Sequence, residues 1–174
     1  MFQMLKQKQR WLHLEDGHCG DCYRTCIASY LDMVRDSVPH FVELYGGKDW
    51  NDSEAIARAI EAWMKERGLL MLSIPVNGEV PFDRVVEIAS SWLGGLSRFI
   101  IGGKSVRGFD HVIVWDKDEG YWDPAKNAVD GEEMLVGPQP GGGWWIIAIV
   151  PTWDKNSKLT AKSDEQLFLE GVLR

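Results

Sequence analysis

The spacing of the apolar residues changes along this chain, and this change limits the fold more than any other feature. Helical spacing covers three segments: residues 22–34, residues 53–67, and a stretch from residue 81 or 82 to just before residue 94. Short apolar runs bounded by turn residues cover five segments: 69–76, 98–101, 111–115, 120–122 and 144–151. Because most strands follow the helices, the pattern predicts an α+β fold with an antiparallel sheet.

Local signals set the ends of the first two predicted helices. Asp21 is a candidate N-cap for the first helix, and Pro39 is expected to break the chain after it. Gly68 is expected to end the second helix. The glycines at residues 102–103 and 141–143 are predicted to form turns, with gating of a cleft as the alternative.

The length of 174 residues suits a single domain with its own core. Residues 1–20 are polar and are predicted to form a loop or arm that leads to the first helix. We assign residues 1–153 to one domain. Residues 154–174 are predicted to form a tail or a short closing helix capped at Ser163.

Charge and hydropathy exclude two classes of protein. The chain has 19 Lys and Arg against 26 Asp and Glu, a net charge of -7, which argues against nonspecific nucleic-acid binding. The longest apolar run, residues 144–150, is far shorter than the roughly 20 residues that span a bilayer. The first ten residues lack the apolar stretch of a signal peptide. We therefore expect a cytoplasmic protein without a membrane or nucleic-acid partner.

Three cysteines lie within eight residues, at the start of the first predicted helix: Cys19, Cys22 and Cys26. An odd number in one cluster does not suit a disulfide framework, so metal binding, catalysis and burial are the open readings. Cys22 occupies the helix start, where the dipole and free N–H groups favour a thiolate and can also face an oxyanion. Cys26 lies one turn later on the same face and is predicted to be buried.

Two alternatives compete with a nucleophilic Cys22. In the first, all three cysteines are ordinary thiols. In the second, His18 and the three cysteines hold a metal ion. Zinc ligands usually come as two separated pairs, and the chain has one cluster without a second pair. We therefore predict neither a metal nor a cofactor.

A thiolate nucleophile needs a basic partner, and the chain has four histidines. His13 and His18 lie in the polar arm and His40 follows the predicted helix break, so all three are predicted to lie at the surface. His111 differs because it begins an apolar strand directly after a glycine-rich segment. This position is expected to hold the imidazole at the edge of the sheet, facing a cleft.

Asp123 is the candidate for the group that orients His111. A hairpin over residues 115–122 would return Asp123 beside His111, where a carboxylate can accept the imidazole N–H. An ordinary turn role for Asp123 and Pro124 is the alternative. Taken together with Cys22, these residues predict a catalytic triad.

These residues resemble the papain-like cysteine peptidase superfamily. The order Cys, His, Asp matches, and an aromatic residue follows the candidate nucleophile in residues 19–23. A closer similarity is to the bacteriocin-leader-processing peptidases, the peptidase-39-like group. Their Asp-Cys-x-x-x-Cys helix start is similar to residues 21–26, and their His-x-Val-Val and Asp-Pro-Ala segments are similar to residues 111–114 and 123–125.

The chain also resembles small papain-like proteins of bacteriophage and bacterial genomes. The similar segments are residues 20–29, 38–41 and 107–111. Together the resemblances span roughly residues 9–151. They imply a papain-like fold in which a helical half carrying Cys22 packs against a sheet half carrying His111 and Asp123.

The resemblance implies cleavage of a peptide, isopeptide or other amide bond through a thioester acyl-enzyme, on a protein or peptide substrate and without a cofactor. One position departs from the family. The oxyanion-hole Gln usually stands six residues before the Cys, where this chain has Asp16. Gln9, earlier in the arm, is the candidate for that role.

Two further function classes stay open. A papain-like fold with weak or no turnover could act as a protein-binding module, for instance a phage-encoded one directed at a host protein, and Asp16 favours this alternative. A metal- or redox-sensing module built on the cysteine cluster is the other.

Overall fold

The computed structural model describes residues 3–125, 135–139 and 141–152. These residues form four α-helices and one five-stranded antiparallel sheet, which confirms the α+β class. The helices are α1 (Cys22–Tyr30), α2 (Phe41–Tyr45), α3 (Ser53–Glu66) and α4 (Phe82–Trp92). The strands are β1 (Leu69–Asn77), β2 (Arg98–Lys104), β3 (Asp110–Asp116), β4 (Gly120–Trp122) and β5 (Gly143–Pro151).

The strands lie in the order β1-β5-β2-β3-β4, so the last described strand is inserted between β1 and β2. The predicted hairpin is present: β3 and β4 pair antiparallel, with Val114 opposite Trp122 and Asp116 opposite Gly120. The residue after β4 is therefore brought back toward the start of β3.

Two apolar cores lie on the two faces of the sheet. One packs α1, α2 and α3 against Ile100 of β2 and Val114 of β3. The other packs α4 against Phe99, Ile101 and Ile113. Neighbouring residues of β2 enter different cores because successive side chains of a strand point to opposite faces.

Helix α1 ends at Tyr30, earlier than the predicted residue 34, and Pro39 is not what ends it. Asp32 follows with a positive φ of 52°. Arg98 holds this end in place by donating to the Tyr30 carbonyl at 3.3 Å and to Asp32 Oδ2 at 2.7 Å. A 3₁₀ turn at Arg35–Ser37 and the unpredicted helix α2 complete the connection to α3.

Asp21 occupies the position before α1, but its side chain does not cap the helix. Its fully buried carboxylate instead accepts from the backbone N–H groups of Arg10, at 2.8 Å, and Trp11, at 3.0 Å. Arg24 Nε donates to the second oxygen at 3.1 Å. Asp21 therefore ties the N-terminal arm to the start of α1, a contact that local sequence does not signal.

The prediction of glycine turns is wrong for one of the two segments and confirmed for the other. Gly102 and Gly103 lie inside β2 and form no turn. A side chain at Gly103 would place its Cβ 2.7 Å from the Trp144 ring, so close packing explains this glycine. Gly142 does lie in the turn before β5, with a φ of 89°.

The predicted tail and closing helix lie outside the described residues. Within the described part of the chain, no helix is long and apolar enough to cross a bilayer.

Candidate active site

Cys22 is the first residue of α1 and lines an open cavity of about 610 Å³. It is half-buried, and the first N–H groups of its helix have no intrahelical partner. The arm packs closely behind it, since a Cβ on Gly20 would lie 2.9 Å from the backbone N of His13. A thiol at this position is accessible from the cavity and lies at the positive end of the helix dipole.

His111 is the second residue of β3, is 3% exposed and lines the same cavity. Its Nε2 is 2.8 Å from Oδ1 of Asp123, which directly follows β4 and is also buried. The same carboxylate oxygen accepts the backbone N–H of Ala125 at 2.7 Å. The structure thus brings Cys22, His111 and Asp123 together, although 89 residues separate the first two.

The charge state of His111 follows from these neighbours. Burial alone would lower the pKa of His111, but hydrogen bonds with Asp123 and Cys22 outweigh it and raise the pKa to about 10. Because Asp123 occupies Nε2, Nδ1 is the ring nitrogen left for the Cys22 sulfur. The protonated imidazolium is therefore the favoured form of His111 at neutral pH.

The other two cysteines have different surroundings. Burial, followed by the charges of Cys22 and Glu43, raises the pKa of Cys19 to about 12. Cys26 is completely buried, as predicted, and its Sγ lies 3.3 Å from the Val112 carbonyl oxygen, to which it donates. Burial also raises the pKa of Cys26 well above its ordinary value. Both thiols are held in their neutral, unreactive form.

Gln9 and Asp16, the two candidates for the oxyanion position, lie in different places. Gln9 is 3% exposed and lines the cavity, and its backbone N–H donates to the Pro124 carbonyl at 2.8 Å. Its amide nitrogen donates to the Trp11 carbonyl, which leaves a second amide N–H available. Asp16 is exposed in a 3₁₀ turn and does not line the cavity. The arm loops outward between them, which explains why counting six residues back does not reach the cavity.

The lining of the cavity is more apolar than polar. Its apolar and glycine lining includes Tyr23, Val42, Ile56, Gly102, Val112, Trp145 and Ile147. Charged side chains line it as well: Arg107 is half-buried, and Asp49 and Asp110 are exposed. A site of this volume, with an apolar lining and few polar groups, suits a small ligand or a short peptide segment.

The remaining histidines depart from their predicted surface positions to different extents. His40 is buried and contacts the Cys19 carbonyl at 3.1 Å, so the surface prediction is wrong for it. His13 lines the cavity, packed edge-to-face on Phe109 with ring centroids 4.7 Å apart. His18 is half-buried, with Nδ1 2.8 Å from Oε1 of Glu43. The arm has no repeating pattern, so no sequence signal could have placed these side chains.

The cluster proposed as a metal-binding alternative is spread over separate contacts. His18 faces Glu43, Cys19 lies against His13 at 3.9 Å, and Cys26 faces the Val112 carbonyl. Among the residues that the structure describes, no group of three or more His, Cys, Asp or Glu side chains could hold a metal ion.

Searches of family models, curated proteins and solved structures found no match to this chain. The functional argument therefore depends on the geometry of the site.

Proposed function

We propose that this protein is a papain-like cysteine hydrolase that cleaves a peptide, isopeptide or other amide bond. One observation carries the proposal: His111 contacts Asp123 through Nε2 at 2.8 Å and lines the same open cavity as Cys22, whose proximity helps to raise the pKa of His111. A nucleophile, a base and a third group that orients the base are the arrangement that acyl transfer by a thiol requires.

The layout of the fold supports the papain-like assignment. The nucleophile begins a helix of the layer formed by α1, α2 and α3, whereas His111 and Asp123 belong to the antiparallel sheet. The cavity is lined from both sides, by Cys22 and Tyr23 on one and by Gly102 and His111 on the other. This is the division between a helical half and a sheet half that the sequence resemblance implies.

In the acylation half-reaction, the Cys22 thiolate attacks the carbonyl carbon and the carbonyl π electrons move to oxygen. The backbone N–H of Cys22 and the free amide N–H of Gln9 stabilise this oxyanion. The tetrahedral intermediate collapses, the C–N bond breaks, and His111 gives its proton to the leaving amine. The product is a thioester between Cys22 and the acyl group, with His111 neutral.

In the deacylation half-reaction, neutral His111 accepts a proton from water, which attacks the thioester carbonyl. The C–S bond then breaks, the carboxylic acid leaves, and the thiolate–imidazolium pair is restored. Asp123 keeps the ring oriented in both halves through the 2.8 Å hydrogen bond. These steps use only groups of this chain and water. A protein or peptide is the substrate class that we propose.

Trapping the acyl-enzyme tests the proposal. The wild-type protein would be screened with peptide, isopeptide and small-amide pools, quenched in acid, and analysed by mass spectrometry of the tryptic peptide that contains Cys22. We expect an acyl adduct on Cys22 that hydroxylamine releases, a strongly reduced yield in Asp123→Asn, and none in Cys22→Ala. Turnover that persists in Cys22→Ala would contradict the triad.

The binding-module alternative loses the observation that favoured it, because Asp16 lies outside the cavity. It becomes an outcome of the same experiment. A wild-type protein that forms no adduct with any pool, and that binds a partner equally well as Cys22→Ala, would support a binding function in place of hydrolysis.

A further inference from the structure

Three consecutive residues after β4, Asp123, Pro124 and Ala125, form a buried turn that we call the Asp123 turn. Oδ1 of Asp123 accepts two hydrogen bonds, from Ala125 N at 2.7 Å and from His111 Nε2 at 2.8 Å. The direction of the carboxylate is therefore coupled to the shape of the turn. Any rotation of the turn would move Oδ1 away from the imidazole.

All three carbonyl groups of the Asp123 turn are bound by the N-terminal arm. The Lys8 ammonium donates to the carbonyl oxygens of Asp123, at 3.2 Å, and Ala125, at 3.1 Å. The backbone N–H of Gln9 donates to the Pro124 carbonyl at 2.8 Å. Buried carbonyl groups need hydrogen-bond donors, and at these three residues the arm supplies them.

The Lys8 side chain is itself held in one place. Its ammonium lies 4.4 Å from the centroid of the Trp122 ring, a cation–π distance, and the residue is half-buried. Trp122 Nε1 in turn lies 3.3 Å from the Gln7 carbonyl oxygen, to which it donates. The arm and the end of β4 thus contact each other on both sides of the lysine, which makes the two Lys8 hydrogen bonds well defined.

We propose that Lys8 is a positioning residue for the Cys22–His111–Asp123 site: its ammonium bridges two carbonyls of the Asp123 turn and so keeps the Asp123 carboxylate on His111. This inference deepens the proposed function and rests on it for the role of the triad. Lys8 acts through Asp123 and takes no part in the bond-making steps. A charged donor suits the role because hydrogen bonds from an ammonium are stronger than those from neutral groups.

Lys6 supplies a matched control on the same arm. Its ammonium also lies over the Trp122 ring, at 5.6 Å from the centroid, but it forms an ion pair with Glu119 at 2.9 Å. Lys6→Met and Lys8→Met therefore each remove one positive charge that lies over the Trp122 ring. Only Lys8→Met removes the bridge between the carbonyls of Asp123 and Ala125.

The test measures the pKa of His111 by NMR of ring-labelled histidine in the full-length chain, with assignment through His111→Ala. We expect Lys8→Met to lower the pKa of His111 by about one unit, since the Asp123 contact that raises it is loosened. The upper limb of the pH profile of Cys22 alkylation should move to lower pH by a similar amount, because it follows the loss of the His111 proton. Lys6→Met should match the wild type in both readouts.

Two further variants separate positioning from a purely structural role. Lys8→Arg keeps a charged donor, so the pKa of His111 should stay close to the wild-type value. In an Asp123→Asn background, Lys8→Met should not lower the pKa of His111 any further. If Lys8→Met does not fold, Lys8→Gln should show a pKa shift of the same sign. A His111 pKa equal in Lys8→Met, Lys6→Met and wild type would overturn the inference. The NMR readout does not need turnover, so a shift without Cys22 reactivity would refute the proposed function alone.

Discussion

The two faces of the sheet are covered to different extents. On the face against α4, Phe99, Ile101 and Ile113 are at most 1% exposed. On the other face, α1 to α3 cover Ile100 and Val114, but the cover stops short of Gly102, which lines the cavity. The candidate site lies where the helical layer ends, at the first residue of α1. The closed face supplies stability, and the partly open face supplies room for the proposed substrate.

Removing Cys22, the proposed nucleophile, is expected to have the largest effect, mainly on turnover. Cys22→Ala should reduce turnover by about a thousandfold or more, because the proposed thioester forms on the Cys22 sulfur. Its free energy of unfolding should fall by less than that of Asp123→Asn, since the Cys22 side chain is half-buried and the Asp123–His111 hydrogen bond is kept. Steady-state assays and urea titrations would measure the two effects.

Cys19→Ala is the matched control, because Cys19 lines the same cavity but carries a thiol whose pKa is raised to about 12 by burial and by the charges of Cys22 and Glu43. It should keep the activity. An equal loss of turnover in Cys19→Ala and Cys22→Ala would contradict the assignment of Cys22 alone as the nucleophile.

Truncating a side chain in the closed face should have the opposite result: a large loss of stability and no loss of Cys22 reactivity. Phe99 is 1% exposed and stacks on Trp115 with centroids 4.5 Å apart. Phe99→Ala should lower the free energy of unfolding by about 3–5 kcal/mol, yet leave the alkylation rate of Cys22 in the folded protein unchanged. Phe109→Ala, at the exposed mouth of the cavity, should cost less than about 1 kcal/mol. Similar destabilisation in both would remove the distinction between the faces.

The pH dependence of stability should come from the site. The pKa of His111 is about 10 in the folded protein, since hydrogen bonds with Asp123 and Cys22 outweigh burial, against an ordinary value of 6.5. Folding therefore favours the protonated ring, and this stabilisation is fully present below pH 6.5 and is lost as the pH rises toward 10. Asp123→Asn should flatten the decline, whereas Phe99→Ala should keep it. Urea titrations between pH 6 and 10 would show an unchanged slope in Asp123→Asn if the account were wrong.

Alanine substitutions at two adjacent glycines of β2, Gly102 and Gly103, should have the smallest effects and compare the two faces of the sheet at one place. A Cβ on Gly103 would meet the Trp144 ring at 2.7 Å and the Gly137 carbonyl at 2.8 Å, so Gly103→Ala should cost about 1–3 kcal/mol. A Cβ on Gly102 would meet the flexible Gln139 side chain at 3.2 Å. Gly102→Ala should cost less than about 1 kcal/mol and should raise KM several-fold by filling the cavity. The reverse order of stabilities would contradict the assignment of the open and closed faces.

Local patterns were sufficient for most of the fold. The predicted second helix and first strand differ from α3 and β1 by one residue each. Both could be predicted because their apolar patterns are regular and glycine turn signals mark where they end. The end of α1 could not be predicted in the same way. It depends on Arg98, whose contact with Asp32 spans 66 residues of sequence. The role of Asp21 was missed for a similar reason, since the backbone N–H groups that it binds, those of Arg10 and Trp11, lie in the arm.

The positions of the candidate site residues followed from topology. The start of β3 and the β3–β4 hairpin bring the backbones of His111 and Asp123 close together. The structure of the arm could not be predicted from the sequence. The positions of Lys8, Gln9 and His13 are set by contacts with the Asp123 turn and the cavity wall. The catalytic roles remain predictions.

Mapping the alkylation of the three cysteines tests the central claim most directly. Wild type and His111→Ala would be treated with iodoacetamide at pH 6, and the labelled peptides would be quantified by mass spectrometry. The account predicts fast labelling confined to Cys22 in the wild type and its loss in His111→Ala, because the imidazolium stabilises the thiolate. Slow or equal labelling of Cys19, Cys22 and Cys26, or fast labelling of Cys22 without His111, would contradict it.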